Sequence, residues 1–319
     1  MTAQIKIQNG DNIYVPAVLE GITLTTERYG TPSKLTFKVI DDGVLKFEEG
    51  NAVNFDYNGT PMFYGFVFTK KRDKQDVITV TCYDQLRYLK NKDTYVYENK
   101  TASELIQLIA NDFNLQTGEI DDTKYKIASR VEDNQTLFDI IQNALDLTME
   151  NKKEIYVLYD DYGKITLKSL ENMRVNILID AETAENFNYA SSIDDNTYNK
   201  IKLVYDNGET GKRDVYITQH GENINKWGVL QYYDTLQEGE NGKAKAEALI
   251  QLYNQKTRTL QIKNALGDVN VRAGSLIGVS LDLGDVVLNN YMLVESCKHR
   301  FNLDEHFMDL TVRGGEFVG

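Results

Sequence analysis

Apolar and polar residues alternate with a period of two along the first part of the chain: Ile5 and Ile7; Leu35, Phe37 and Val39; Val53, Phe55 and Tyr57; Phe66 and Phe68; Ile78, Val80 and Cys82. Successive side chains of a β-strand point to opposite faces, so this pattern predicts half-buried antiparallel strands. Between the runs stand turn-forming pairs, Asn9-Gly10, Asp42-Gly43 and Asn58-Gly59. The last is flanked by strand-like runs and is expected to close a two-residue hairpin. Six or more short strands before Tyr95 imply a barrel or sandwich.

The period changes at Thr101. Thr101-Ala-Ser-Glu104 has the form of a capping box, and Leu105, Leu108 and Ile109 follow at helical spacing, predicting a helix to about Phe113. A second helix is expected from near Asn134, with Leu137, Ile140, Ile141, Ala144 and Leu145 as one apolar stripe. Strands return at Ile155–Tyr159 and Ile165–Leu167 around Asp161-Tyr162-Gly163, and at Ile201–Tyr205 and Val215–Thr218 around Asn207-Gly208. A third helix is expected over Gly242–Thr257, with Ala246, Leu249, Ile250 and Tyr253 on one face. Short strands close the chain around Leu260–Ile262, Leu276–Val279, Tyr291–Glu295 and Phe307–Val312. Helices take up well under the usual third of the residues. The fold class read from the pattern is α+β, mainly β.

The first and last β segments follow the same plan of Gly turn, strand, aromatic-led strand, basic hairpin end and closing strand. Gly50, Val53-Asn-Phe55, Phe63–Val67, Lys70-Lys71 and Ile78–Val80 can be laid beside Gly274, Ile277-Gly-Val279, Tyr291–Val294, Lys298-His299 and Leu310–Val312. The match is one of pattern and not of identity, so duplication and chance likeness of two antiparallel barrels both stand. The expected division is a first tube-like β-barrel over 1–94, an inserted α+β domain over 95–195, and a second barrel over 196–319 with a preceding hairpin and helix.

Composition narrows the functional classes. With 48 acidic against 35 basic residues the 319-residue chain carries a formal charge of −13. Phosphate backbones and anionic membrane surfaces are bound by clustered Lys and Arg, so a nucleic-acid reader or a membrane-surface protein is not expected. Proline is scarce, 3 residues against roughly 5% in average usage, while 20 Tyr and 22 Gly suit strands and turns. The N-terminal residues lack the continuous apolar core of a secretory signal, and no run approaches the roughly 18 apolar residues of a membrane-spanning helix. Synthesis and first residence in the cytoplasm are expected. Cys82 and Cys297 lack CxxC spacing and are expected to be free, buried thiols rather than a bridge.

Candidate chemistry is sparse. No GxSxG, HExxH, P-loop or GxGxxG signature is present. His299 and His306 bracket a short loop containing Asp304 and Glu305. A hairpin there sets Phe301 opposite His306 and His299 opposite Met308, leaving the imidazoles offset, and surface or interface histidines are the expectation over a metal site. Acidic pairs at Asp41-Asp42, Asp121-Asp122, Asp160-Asp161 and Asp194-Asp195 sit at strand ends, where short acids cap turns and keep edges soluble, rather than across a glycosidase cleft. Asp206-Asn207-Gly208-Glu209 lacks the ligand spacing of a calcium loop. Trp227, the one tryptophan, is read as a core or subunit anchor before a sugar platform. No catalytic residue, cofactor site or metal site is assigned.

Several segments resemble a known family. Val80-Thr-Cys-Tyr83-Asp84-Gln-Leu86-Arg-Tyr-Leu89-Lys, followed by Lys100-Thr101-Ala102-Ser103-Glu104-Leu105-Ile106 and Phe113-Asn-Leu115, is similar to the junction of first barrel and helical insert in phage late control protein D. This is the baseplate hub family of contractile tails, defective prophages and tail-like bacteriocins included. Tyr198–Ile201, Trp227-Gly228, Arg272–Ser275 and Tyr291–Phe301 resemble further segments of it. The resemblance covers most of the chain. It implies a non-enzymatic homotrimer, each chain giving two tube-like barrels to a pseudo-sixfold ring that adapts the tail tube to a threefold spike. Tail tube, central spike, baseplate wedge and tape measure proteins are the implied partners, and the baseplate of a virion or bacteriocin the implied location. Subunit contacts are then expected at Val53, Phe55, Tyr57, Phe63, Phe66, Phe68, Leu276, Val279, Tyr291 and Val294. Acidic residues lining the lumen would repel a passing nucleic acid. The competing classes are a cell-wall hydrolase, for which barrels and insert leave no room, and a peptidoglycan-binding module built on residues 101–147.

Overall fold

The computed structural model describes all residues except 1, 195–196, 209–210, 237–239, 285, 303–304 and 315–319. The chain forms two compact units, one of Met1–Phe187 with Ile262–Val312 and a second built on Asn188–Gln261.

In the first unit the predicted alternation becomes an antiparallel layer. Its strands are β1 (Ala3–Asn9), β2 (Asn12–Tyr14), β3 (Ile22–Glu27), β4 (Lys34–Ile40), β5 (Ala52–Tyr57), β6 (Thr60–Arg72) and β7 (Val77–Tyr83), adjacent in the order β3-β4-β7-β6-β5-β1-β2. One face buries Ile5, Ile7, Leu35, Phe37, Val39, Val53, Phe55, Val80 and Cys82 in a single core. The β5–β6 turn places Asn58 at φ 49° and Gly59 at φ 78°, two successive left-handed residues, as a hairpin matched to right-handed strand twist requires.

After a 3-10 turn (Gln85–Lys90) the chain builds β8 (Lys92–Lys100), α1 (Ala102–Asp112), β9 (Thr117–Ile120), β10 (Ile127–Thr136), α2 (Leu137–Lys152), β11 (Tyr156–Asp160) and β12 (Ile165–Ser169). The two helices, the β8–β10 pair and the β11-β12-β9 sheet enclose a separate core that includes Leu105, Ile109, Leu137, Ile140, Ala144 and Leu167. The capping box is complete: Thr101 Oγ1 accepts the Glu104 N–H at 3.1 Å, and the Glu104 carboxylate accepts the Thr101 N–H at 2.8 Å. The second helix starts at Leu137, where its apolar stripe begins, and not near Asn134 as expected. Thr136 is its N-cap, and Asn134 lies in β10 with φ 52°.

The chain continues through β13 (Arg174–Ile179) and β14 (Ala184–Ser192). In the second unit β15 (Lys200–Asn207), β16 (Lys212–Gln219) and β17 (Gln231–Thr235) form a sheet in the order β16-β15-β17, packed on α4 (Gly242–Tyr253) around Ile201, Leu203, Leu236 and Ala246. A seven-residue helix, α3 (Gly221–Trp227), follows β16 and was not expected. The chain returns through β18 (Thr257–Leu266), so the third predicted helix ends four residues early, and finishes with β19 (Leu276–Asp282), β20 (Val287–Phe301) and β21 (His306–Gly314).

The molecule is mainly β, as expected. The organisation differs in one respect from two separate barrels. Residues 287–293 of β20 pair with β19, and residues 296–301 pair with β3. The first and last β segments are thus parts of one thirteen-stranded sheet, which among the described residues does not close on itself. Among those residues, too, no helix is long and apolar enough to cross a membrane.

Candidate functional site

Where the N-terminal layer, the insert and the strands around β20 meet, a cavity of about 320 Å³ is lined by Asp84, Tyr159, Asp160, Lys168, Arg272 and His299 among others. The polar groups come from four stretches of chain, the end of the N-terminal layer, the β11–β12 hairpin, the loop before β19 and β20. Asp84 ends the N-terminal layer as the cap of the 3-10 turn: its Oδ1 accepts the Leu86 N–H at 3.0 Å and its Oδ2 the Ser33 N–H at 2.9 Å. Asp160 ends β11, where its Oδ1 accepts the Gly163 N–H at 2.7 Å and so shapes the β11–β12 hairpin. Its Oδ2 is sealed from solvent without a hydrogen-bond partner, as is Arg272 Nε. The Arg272 guanidinium lies 4.0 Å from the centre of the Tyr159 ring, a cation–π contact between the loop before β19 and the insert.

Asp84 and Asp160 are almost completely buried. Desolvation raises both carboxyls above the ordinary range; for Asp84 the neighbouring Asp160 adds to the rise, while the Ser33 contact and Arg272 oppose it. Desolvation also weakens the charged form of Arg272, which Tyr159 and the acids support. Sequence reasoning assigned Asp160 only to turn capping. That role is real, but the second oxygen faces the interior, and only the tertiary packing reveals it.

Behind this cluster the two histidines correct an expectation. They are buried rather than at a surface, 1% and 8% exposed, and they touch: His299 Nδ1 lies 2.9 Å from His306 Nε2. The Asn302 N–H to Glu305 carbonyl bond of 2.9 Å sets Phe301 opposite His306, as the sequence predicted. His299 and His306 are then diagonal neighbours on one face, close enough for rings to meet. His299 Nε2 lies 2.8 Å from the Val271 carbonyl oxygen, which can only accept. The proton is therefore on His299 Nε2, its Nδ1 accepts, and His306 Nε2 donates to it. Burial, reinforced by the neighbouring imidazole, lowers His299 to about 3, and burial lowers His306 to about 4. Asp304 lies outside the described residues, and among those described no group of three His, Cys, Asp or Glu could hold a metal ion.

The ten residues expected at subunit contacts divide by burial. Val53, Phe55, Tyr57, Phe63, Val279 and Val294 are core side chains, and β5 and β6 lie inside the sheet rather than at its edge. The period-two pattern selected the inner faces of these strands. Phe66 and Phe68 are half-buried in a band of aromatic rings with Tyr64, Tyr83 and Tyr88. Leu276 is half-buried, and Tyr291 is exposed with the Arg174 guanidinium 4.2 Å from its ring centre.

This organisation can be set beside known proteins. The model of the YqbQ-like family matches residues 22–313, taking in all three parts that meet at the cavity. The chain belongs to the YqbQ-like family. It is 30% identical over 309 residues to YqbQ of Bacillus subtilis (strain 168), covering 94% of this chain and 93% of that protein. It is 28% identical over 312 residues to the phage-like element PBSX protein XkdQ of the same organism, covering 95% and 94%. Among solved structures, the 43 kDa tail protein of prophage MuSo2 from Shewanella oneidensis aligns over 99% of this chain and 100% of its own, with a TM-score of 0.74 at 12% identity. The E. coli c3393 protein, a type VI secretion component similar in structure to the T4 tail proteins gp27 and gp5, aligns over 99% and 78%, with a TM-score of 0.59 at 13% identity.

In this YqbQ-like chain the remaining candidates have structural places. His220 caps α3, its Nδ1 accepting the Asn223 N–H at 3.4 Å, and Trp227 ends that helix half-buried. Asp42 accepts the Val44 and Leu45 N–H groups and Asp122 that of Lys124, the turn-capping role expected of them, whereas Asp121 caps no turn with its side chain but accepts the N–H of Ser169, 48 positions along the chain. Asp206 pairs with Arg213, whereas Asp195 and Glu209 lie outside the described residues. Both cysteines are free and buried, and desolvation pushes their thiols up.

Proposed function

We propose that this protein is the structural hub of a contractile tail baseplate, a trimer whose ring adapts the sixfold tail tube to a threefold spike. The observation that carries the reading is the match of nearly the whole chain to tail proteins. XkdQ comes from a phage-like element and the MuSo2 protein from a prophage tail, and c3393 resembles gp27 and gp5. A sheet this long, with its polar groups spent on turns, caps and a sealed interior cluster, supports a structural role over an enzymatic one. Residues 1–94 and 196–319 are proposed as the two tube-forming parts, with 95–195 inserted. Tail tube, spike, wedge and tape measure proteins are the proposed partners.

Subunit contacts are proposed at the outward side chains of the expected set, Phe66, Phe68, Leu276 and Tyr291, with the buried members holding their strands in place. The excess acid is proposed to line the lumen. Native mass spectrometry of the purified full chain tests the oligomer: a trimer is expected, and a monomer at micromolar concentration overturns the hub. Negative-stain images should show rings with a central pore.

A further inference from the structure

The β11–β12 hairpin of the insert turns one face toward the N-terminal strands and the loop before β19, where Val157 and Tyr159 form a small apolar cluster with Met173 and Leu170. On one side Gly274 approaches so closely that a Cβ there would overlap the Val157 side chain. On the other, the Tyr162 hydroxyl donates to Asp56 at 3.3 Å, and the Tyr64 and Tyr162 rings lie 6.0 Å apart. Between these contacts sits the polar cavity, with one sealed carboxylate from each side, Asp84 from the N-terminal layer and Asp160 from the hairpin. A single arginine, the half-buried Arg272 with its Nε sealed from solvent, comes from the third element. The opposite face of the hairpin belongs to the insert's own core through Tyr156, Ile165 and Leu167.

We propose that the Asp84–Asp160–Arg272 cluster is a proton-operated latch, which holds the β11–β12 hairpin against the β layers while one of the two carboxyls is protonated and releases it when both are ionised. The argument begins from geometry. Asp160 Oδ2 is closed to water and completes no hydrogen bond, and although Gln85 and Arg272 favour its charge, burial outweighs them, so a proton there removes a sealed charge. Asp84 is also buried, and one arginine cannot balance two carboxylates facing the same cavity. The other charged groups on the lining are Asp161 on the hairpin, Lys168 on β12 and Arg174 on β13. His299 on β20 faces it as a neutral ring, backed by His306, and Tyr159 on β11 stacks on Arg272.

The sign follows from the raised carboxyls. The docked form binds a proton that the released form gives up, so docking is favoured at low pH and weakens as pH rises above the ordinary carboxylate range. Release exposes Val157, which is 1% exposed when docked.

The test is thiol labelling of full-length Val157→Cys, with each rate normalised to the same chain unfolded in denaturant at the same pH. The native Cys82 and Cys297 are 0% exposed and serve as slow internal controls. The normalised rate at Cys-substituted position 157 should rise about tenfold between about pH 6 and pH 9. Adding Asp160→Asn, which keeps the oxygen that accepts the Gly163 N–H, should flatten that rise. Asp84→Asn should do the same and stands in where the first variant does not fold. A flat profile without either Asn change, or an undiminished rise with them, overturns the latch.

Discussion

His299 Nδ1 and His306 Nε2 meet at 2.9 Å across the β20–β21 hairpin, with His299 Nε2 bonded in turn to the Val271 carbonyl. Every ring nitrogen in that chain but one, His306 Nδ1, is committed to a fixed donor or acceptor role. Protonating His299 at Nδ1 would set two N–H groups against each other unless His306 moved its own proton to Nδ1.

The histidine pair makes stability fall with acidity. Both imidazoles have lowered values in the folded chain, about 3 and about 4, against 6.5 unfolded, so the unfolded chain takes up protons first. Their contribution is complete above pH 6.5 and is lost progressively below it. At about pH 4.5 the loss should be on the order of 2 kcal/mol per imidazole. Urea midpoints at pH 7 and about 4.5 check this, with His306→Gln showing a smaller acid loss than the parent.

Gly267 leaves room for one of these rings. A Cβ at Gly267 would overlap His306 at Cγ and Nδ1. Gly267→Ala should destabilise by about 2 kcal/mol, the range of overpacked sites. In His306→Ala the same change should be nearly neutral, and a double-mutant cycle that shows additivity would remove the contact as the cause.

Arg28 and Glu295 tie β3 to β20. Arg28 Nε donates to Glu295 Oε2 at 2.7 Å and Nη2 to Oε1 at 2.9 Å, with the arginine side chain 5% exposed. Glu295→Gln should cost about 3 kcal/mol, because a buried guanidinium loses its bidentate carboxylate. The paired change Arg28→Met with Glu295→Leu should recover most of that loss in thermal unfolding.

Thr101 caps the first helix of the insert through its side-chain oxygen. Thr101→Ala should lower stability by about 1 kcal/mol, with Thr101→Ser close to neutral. Chemical denaturation reads both.

Local rules made much of this fold legible. The alternation at Leu35-Thr-Phe37-Lys-Val39 and the Asn58-Gly59 turn are decided by neighbours along the chain, and so is the Thr101–Glu104 box. The register of the His hairpin was also readable from its loop length. Its consequence was missed because diagonal contact depends on ring size and tilt, which spacing does not express. The pairing of β3 with β20 joins residues 267 positions apart at Arg28 and Glu295, and no local pattern encodes such a partner. The polar cavity was unreadable for the same reason: Asp84, Asp160 and Arg272 each look like ordinary turn or loop residues until packing seals them together. The short α3 escaped because seven residues carry too little periodicity to register.

Besides its hairpin partner β21, the fifteen-residue β20 pairs with β19 along its first half and with β3 along its second. A tensile load entering at one ladder reaches the other through covalent backbone, and neither partner strand can be peeled away without shearing several hydrogen bonds at once. In the proposed hub, strain would therefore pass along this strand as along a tie-rod.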